Sequence, residues 1–399
     1  MHENNILVIY ENCIPCTKSE KRDKMMKNIA ILLTVTLLAS SLAVFIPMGA
    51  DDVSADSPFT ITDIQGDEVS FERPADYAVV LGLGMTLTMI ELGLKDKILG
   101  VDSYSVASYA SNAPYADQLE GLESYGNFYN AGGRTEILTK MVQEIDDNPS
   151  KYSGKEIIIL APNYSYIINE TDGLIKQISN AGIDFKVVLI AKSGMMYDDI
   201  TPFVKNIGKI FGASDVDSVV ENMELVKSEV TKVVDDNDLS GAKALHLSST
   251  DVPAAYQDGK SILLSMVTIA GGINVGGNAS GTTVSITFTG VVQIINDNPN
   301  VVIFLDAGNS RTVEEFRAEI PGIPSTVKVI KLAPSYNNTC PSTSEGLWAV
   351  ASALYPDHFS GPAPTVGDEP KSNILLYAAV GTVAAVLIVG IVFAIMRRN

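Results

Sequence analysis

Residues 77–102 read YAVVLGLGMTLTMIELGLKDKILGVD. The apolar, β-branched run Tyr77 to Leu81 predicts a strand that stops at Gly82, and Ile98 to Val101 predicts a second one. The stretch between them is long enough for a helical crossover, so the two strands are expected to be parallel neighbours. The same grammar recurs at Glu156 to Leu160 and Lys186 to Ile190. It returns after residue 240 in Ala242 to Leu247, Val301 to Leu305 and Val327 to Leu332. Short buried strands alternating with helix-length connections imply parallel sheets with helices on both faces, here as two α/β lobes.

The stretch between the two sets of strands has a different period. Asp198 to Phe211 carries Ile200, Phe203, Val204, Ile207 and Ile210 on one helical face, punctuated by Gly208 and Gly212. Asp215 to Val234 then sets Val216, Val219, Val220, Met223, Val226, Val230 and Val233 at helical spacing among Glu and Lys, with Ser214 or Asp215 expected as the cap. A helix of about 20 residues is ~30 Å long, enough to serve both lobes as one rigid connector.

Working outward, each end of the chain holds an apolar run, Ile29 to Ile46 and Ile374 to Met396. Their basic residues, Lys18 to Lys27 on one side and Arg397 and Arg398 on the other, lie away from the middle. The positive-inside rule then places both tips in the cytoplasm and the middle outside. The second run is uncharged and long enough to cross a ~30 Å hydrocarbon core, so it is expected to be a transmembrane anchor at the cell membrane. The first is shorter and is trailed by Val53-Ser54-Ala55; a signal segment cleaved after Ala55 is expected, with an uncleaved second span as the alternative. The expected organisation is a leader and signal segment over 1–55, a first lobe over 56–212, a connecting helix over 213–238, a second lobe over 239–360, a linker over 361–373 and the anchor over 374–396.

Composition removes several function classes. A net charge of -19 argues against nucleic acid, which selects a basic face. Cys13 and Cys16 lie in the leader and Cys340 stands alone in the second lobe, so no disulfide framework is expected there. His2, His246 and His358 are the only histidines; His246 falls in a strand pattern and His358 in a Pro-Asp-His-Phe turn, which disfavours a bare metal site and Ser-His-Asp or Cys-His catalysis. Gly82-Leu83-Gly84 begins like a dinucleotide loop, but Leu87 stands where its third small residue belongs. No enzymatic activity and no cofactor are expected. Four Asn-x-Ser/Thr sequons, at Asn163, Asn169, Asn278 and Asn337, are compatible with export.

Taken in order, the opening segment resembles the substrate-binding proteins that serve iron-siderophore, haem and cobalamin ABC importers. Its strand, Glu91-Leu92-Gly93-Leu94 turn and Lys97-Ile98-Leu99-Gly100-Val101-Asp102 are followed by Gly126-Asn127 before Asn130 and Glu136-Ile137-Leu138, and by Ala181-Gly182-Ile183. Ile207-Gly208 with Phe211-Gly212, Ala270 to Asn274, Asn298-Pro299-Asn300-Val301 and Tyr355-Pro356-Asp357-His358-Phe359 complete the series. The resemblance implies two Rossmann-like lobes on one long helix, a metal chelate in the cleft between them, little hinge motion, and an ABC permease and ATPase as partners. It also implies docking glutamates on the permease-facing surface. Leu87 and about Val292 stand at those positions here, leaving Glu91 as a neighbouring substitute or a different coupling.

In open α/β sheets ligands meet the loops at the carboxyl ends of the strands. Those loops carry Tyr104, Tyr125, Tyr129, Asn163, Tyr164, Tyr166 and Met196 in the first lobe, and Thr250, Tyr256 and Tyr336 in the second. Tyrosine offers a flat apolar face with a hydroxyl at low entropic cost, which suits a large, partly planar chelate. These ten residues are the expected ligand-binding set. Two functions stay open: capture of a chelate for an ABC importer, or a two-lobed surface sensor or adhesion protein uncoupled from a permease.

Overall fold

The computed structural model describes residues 57–106, 116–248, 254–256, 261–277, 283–305, 311–320 and 322–366. The expected signal segment and the expected anchor over Ile374 to Met396 lie outside the described residues. Among the described residues no helix is long and apolar enough to cross a membrane.

The chain enters through a small antiparallel hairpin, β1 (Phe59–Thr62) with β2 (Glu68–Phe71). The first lobe follows: β3 (Tyr77–Val80), helix α1 (Leu83–Glu91), β4 (Ile98–Asp102), β5 (Ser124–Gly126), α2 (Ala131–Asp147), β6 (Ile157–Pro162), α3 (Leu174–Asn180) and β7 (Lys186–Ala191). Its five strands are all parallel in the order β5-β4-β3-β6-β7. Both faces are covered by helices or loops, which is why Ala78, Val79 and Val80, or Ile158, Ile159 and Leu160, are each fully buried in succession instead of alternating.

Two helices lead out of this lobe. α4 (Ile200–Phe211) buries the predicted face and ends at Gly212, whose φ of 64° is the left-handed cap that a glycine adopts without strain. α5 (Val216–Asp236) is the connector, 21 residues and about 30 Å long, with Val220, Met223, Val226 and Val230 buried. Asp215 occupies its cap position without accepting a helix amide through its side chain; it accepts instead from the Ser214 hydroxyl at 3.2 Å.

The second lobe contains β8 (Ala242–Ser248), β9 (Ala254–Tyr256), α6 (Ile262–Ile269), β10 (Gly272–Asn274), β11 (Thr283–Ser285), α7 (Phe288–Asp297), β12 (Val302–Leu305), α8 (Val313–Glu319), β13 (Lys328–Lys331) and α9 (Thr343–Leu354). β8, β12 and β13 are parallel as predicted, and β10 joins β8 in the same sense. β9 and β11 are antiparallel additions at the edge, so this sheet is mixed.

One apolar cluster runs through the whole described unit. It joins Val80 and Ile158 of the first sheet to Ala244 and Phe304 of the second through Ile207, Met223 and Val226 of the two linking helices and Leu347 of α9. Separate clusters sit under the outer helices of each lobe. Each Val or Met buried along the connector is worth roughly 1.5–3 kcal/mol, so α5 is held by packing against α4 and α9 more than by propensity.

Candidate functional site at the lobe junction

The strand order of the first sheet reverses at β3, with β4 on one side and β6 on the other. A crevice opens beyond the carboxyl ends of strands at such a point. A cleft of about 230 Å³ lies there, lined by Leu81 to Met85 after β3, Asp102 and Tyr104 after β4, Phe128 and Tyr129 after β5, Pro162 and Tyr164 after β6 and Ala191 at the end of β7. The second lobe closes it with Asn338 and Thr339.

Close approach of the lobes depends on Gly84. A Cβ on this residue would stand 2.1 Å from Thr339 Oγ1 and 2.9 Å from the Thr339 amide nitrogen. Next to it, the Thr88 hydroxyl donates to the Thr339 carbonyl at 2.9 Å. The first turn of α1 therefore forms both the floor of the cleft and the seam between the lobes.

Aromatic rings form one wall. Tyr129 is the hub: it stacks on Phe128 at 4.2 Å and meets Tyr104 edge-on at 5.2 Å and Tyr166 edge-on at 5.4 Å, with Tyr164 at 6.5 Å. Such offset and edge contacts suit the ring quadrupoles and hold the cluster as a unit. Burial pushes the Tyr129 and Tyr164 phenols up, so both stay protonated and can donate or accept. Arg134 supports the wall from behind. It is 2% exposed, donates Nη1 to the Phe128 carbonyl at 3.0 Å and pairs Nη2 with Asp172 Oδ2 at 3.1 Å.

Asp102 is fully buried beside the floor. Its Oδ2 accepts from the Ser105 hydroxyl at 2.7 Å and its Oδ1 from the Tyr104 amide at 2.8 Å, with the Gly82 amide beside it. The Thr86 hydroxyl donates to Ser105, extending the chain to α1. Burial raises the Asp102 carboxyl above the usual range, against the pull of those hydrogen bonds.

The ten predicted residues divide. Tyr104, Tyr129 and Tyr164 line the cleft and Tyr166 flanks it through Tyr129. Asn163 stands between two lining residues, but its side-chain oxygen faces Gln65 Nε2 at 3.4 Å and its amide bonds Ala191. Tyr125 belongs to the core: it lies on β5, 1% exposed, with its ring over Gly100, where a Cβ would stand 2.4 Å away. Met196 is 40% exposed on the turn before α4, outside the lining. Tyr336 packs against the shared core and its hydroxyl donates to Glu345 Oε2 at 2.8 Å. The second lobe reaches the cleft two residues later, through Asn338 and Thr339. Thr250 lies outside the described residues; Tyr256 pairs with Thr283 in the β9–β11 ladder.

Glu91, the neighbouring candidate for a docking charge, is half-buried. It ends α1 beneath the start of α9, its Oε2 accepting from the Ser342 amide at 2.8 Å and its Oε1 buried without a partner. Burial raises its carboxyl to about 7, with Glu345 adding to the rise and the Ser342 hydrogen bonds opposing it. Cys340, buried alongside, donates its thiol to the Ser335 carbonyl at 3.2 Å and is itself pushed far up. A larger open groove of about 790 Å³ runs between α2 and α3, but residues of one lobe alone line it, away from every strand end. Among the described residues no three His, Cys, Asp or Glu side chains converge to hold a metal ion.

No protein-family model matches the chain. Over 307 residues it is 22% identical to the uncharacterized ABC transporter substrate-binding lipoprotein YvrC of Bacillus subtilis, a match covering 76% of this chain and 87% of that protein. Its fold superposes on a periplasmic haem-binding protein from Pseudomonas aeruginosa with a TM-score of 0.54, at 17% identity, covering 73% of this chain and 96% of that one. The ABC-type Fe3+-hydroxamate transport system protein of Saccharomonospora viridis gives 0.51, at 16% identity, with coverages of 74% and 99%. The resemblance read from the sequence is borne out at the level of the fold, two lobes on a single connecting helix. The Bacillus and Pseudomonas proteins are described as binding proteins and the Saccharomonospora protein as part of a transport system.

Proposed function

We propose that this chain, built on the fold of the substrate-binding proteins of iron-siderophore, haem and cobalamin importers, captures a metal chelate in the cleft between its lobes and delivers it to an ABC permease and ATPase. One observation carries the reading: the cleft opens at the reversal point of the first sheet, is closed by the second lobe, and is walled by a packed cluster of Tyr and Phe. Flat aromatic faces with phenol hydroxyls bind a broad, partly planar ligand with little loss of side-chain entropy. A tether at the membrane surface completes the proposal, with Ile374 to Met396 as the anchor. The Bacillus relative is a lipoprotein, whereas no cysteine stands just after the first apolar run here.

Titration of the full chain in vesicles with a corrinoid, a haem and a ferric siderophore, read by tyrosine fluorescence, tests the capture step. Binding of one at micromolar or tighter affinity is the expected result; millimolar or weaker binding of all three would remove the reading.

A second reading, a surface sensor without a permease, is favoured by one feature. The residues where the importer family carries docking glutamates are the fully buried Leu87 and the half-buried Val292, and the nearby half-buried Glu91 is bonded to the Ser342 amide. Co-purification of the chain with a multi-span permease in ligand-replete membranes distinguishes the two, and its absence supports the sensor.

A further inference from the structure

Resting on the proposed capture of a chelate, the charges around the cleft narrow its class: we infer that the ligand is an uncharged or cationic chelate and that anionic chelates are rejected. Among the described residues lining the cleft there is no Lys, Arg or His. The ionisable groups that do line it are the Asp102 carboxyl and the phenols of Tyr104, Tyr129 and Tyr164, none of which supplies positive charge.

The basic side chains nearest along the chain each face an acidic partner. Arg134 lies behind the aromatic wall, bonded to the Phe128 carbonyl and to both the carbonyl and the carboxylate of Asp172. Lys192, the residue after Ala191, faces Asp199 at 4.0 Å.

The start of α1 would by itself favour an anion, because the amides of a helix N-terminus carry partial positive charge. Here the Asp102 carboxyl lines the same cleft beside Gly82, the cap residue of α1, and so opposes that field from within the protein. The surrounding potential works in the same direction, with a net charge of -19 over the chain.

The aromatic wall adds an attractive term. Ring faces present the negative side of their quadrupole, and a cationic group over a desolvated Tyr face is stabilised where an anionic group is repelled. Tyr129, at the centre of four aromatic contacts, lines the cleft. Asn338 and Thr339 supply neutral polar contacts from the opposite lobe.

The test compares ferric complexes whose charge differs: ferrioxamine B, cationic; ferrichrome, neutral; ferric enterobactin, triply anionic. Each is titrated against the full chain in uncharged phosphatidylcholine vesicles at fixed ionic strength. The expected order is cationic or neutral tighter than anionic by about 100-fold or more, the scale of an unfavourable charge placed in a partly desolvated site. A Tyr104→Lys variant, changed at a partly exposed rim position and checked for unchanged thermal unfolding, is expected to narrow that gap by about fivefold or more, and more at low salt than at high. Anionic binding as tight as neutral would overturn this inference while leaving chelate capture standing. Failure of all three complexes and of a neutral corrinoid would remove the capture reading and this one with it.

Discussion

Replacing Glu91 by Gln isolates the cost of burying one carboxylate between the lobes. In the folded protein the Glu91 carboxyl keeps its proton up to about pH 7, whereas in the unfolded chain it releases it near its ordinary value of 4.5. Below pH 4.5 both states are protonated and the group contributes nothing to the difference. Between 4.5 and 7 the folded state binds more protons, so stability falls as the pH rises, and above 7 the whole penalty applies. At about 1.4 kcal/mol per pH unit the penalty is roughly 3 kcal/mol. The groups facing Glu91 are the Ser342 amide, the neutral Cys340 thiol and the Glu345 carboxylate, of which only Glu345 adds charge. Gln keeps an acceptor for the Ser342 amide and loses the charge. Urea denaturation of residues 56–366 at several pH values should therefore show the variant equal to wild type near pH 4.5 and more stable by about 2–3 kcal/mol at pH 8, at constant m-value. Taking the difference between the two proteins cancels every other titrating group. Parallel pH profiles, or a variant weaker than wild type at pH 8, would refute the reasoning and mean that Glu91 is held ionised by the start of α9.

A proline at Val226, in the middle of the connector, should cost about 3 kcal/mol or more by deleting a backbone bond and clashing with the previous turn; protease sensitivity should rise in both lobes together, and an unchanged melting temperature would contradict an interior helix. Gly100→Ala should destabilise by roughly 1–3 kcal/mol, since its Cβ would stand 2.4 Å from the Tyr125 ring; a neutral result in thermal unfolding would mean the ring moves aside freely. For whichever chelate binds, Tyr129→Ala should weaken affinity by about 1–3 kcal/mol, the scale of a central aromatic contact, while Tyr336→Ala leaves it unchanged; the reverse pattern in a titration would move the site to the Glu345 side of the second lobe.

The parallel strands were legible because each is buried on both faces and therefore reads as an unbroken apolar run, as in Ile158-Ile159-Leu160 and Val302 to Leu305. The β1–β2 hairpin was not, since its exposed face breaks the apolar run into short polar-interrupted pieces. Nor were β9 and β11, three residues each, too short to show any period. In the site, Tyr104, Tyr129 and Tyr164 follow from strand-end position alone. Tyr125 misleads because it stands inside β5, where alternation turns its ring inward over Gly100. Asn338 and Thr339 depend on the approach of Gly84 from the other lobe, and Glu91 on the cover that α9 lays over it. Such contacts join residues some 250 positions apart, with hydrogen bonds such as Ser342 to Glu91, and no local pattern announces them.

The apolar cluster that runs unbroken from the first sheet through the connector to the second bears on how long the protein survives. A protease cuts what opens, and parts that share one core open together, so neither lobe is an independent weak point. Any molecule seated in the cleft touches both lobes and so defends the entire unit; at a concentration 100 times its dissociation constant it adds about 2.7 kcal/mol. The population open to cutting then falls by about a hundredfold when opening is fast relative to cleavage. If a ligand is captured there as proposed, empty copies are expected to be degraded ahead of filled ones, so that the lifetime of the chain would record how much ligand surrounds it.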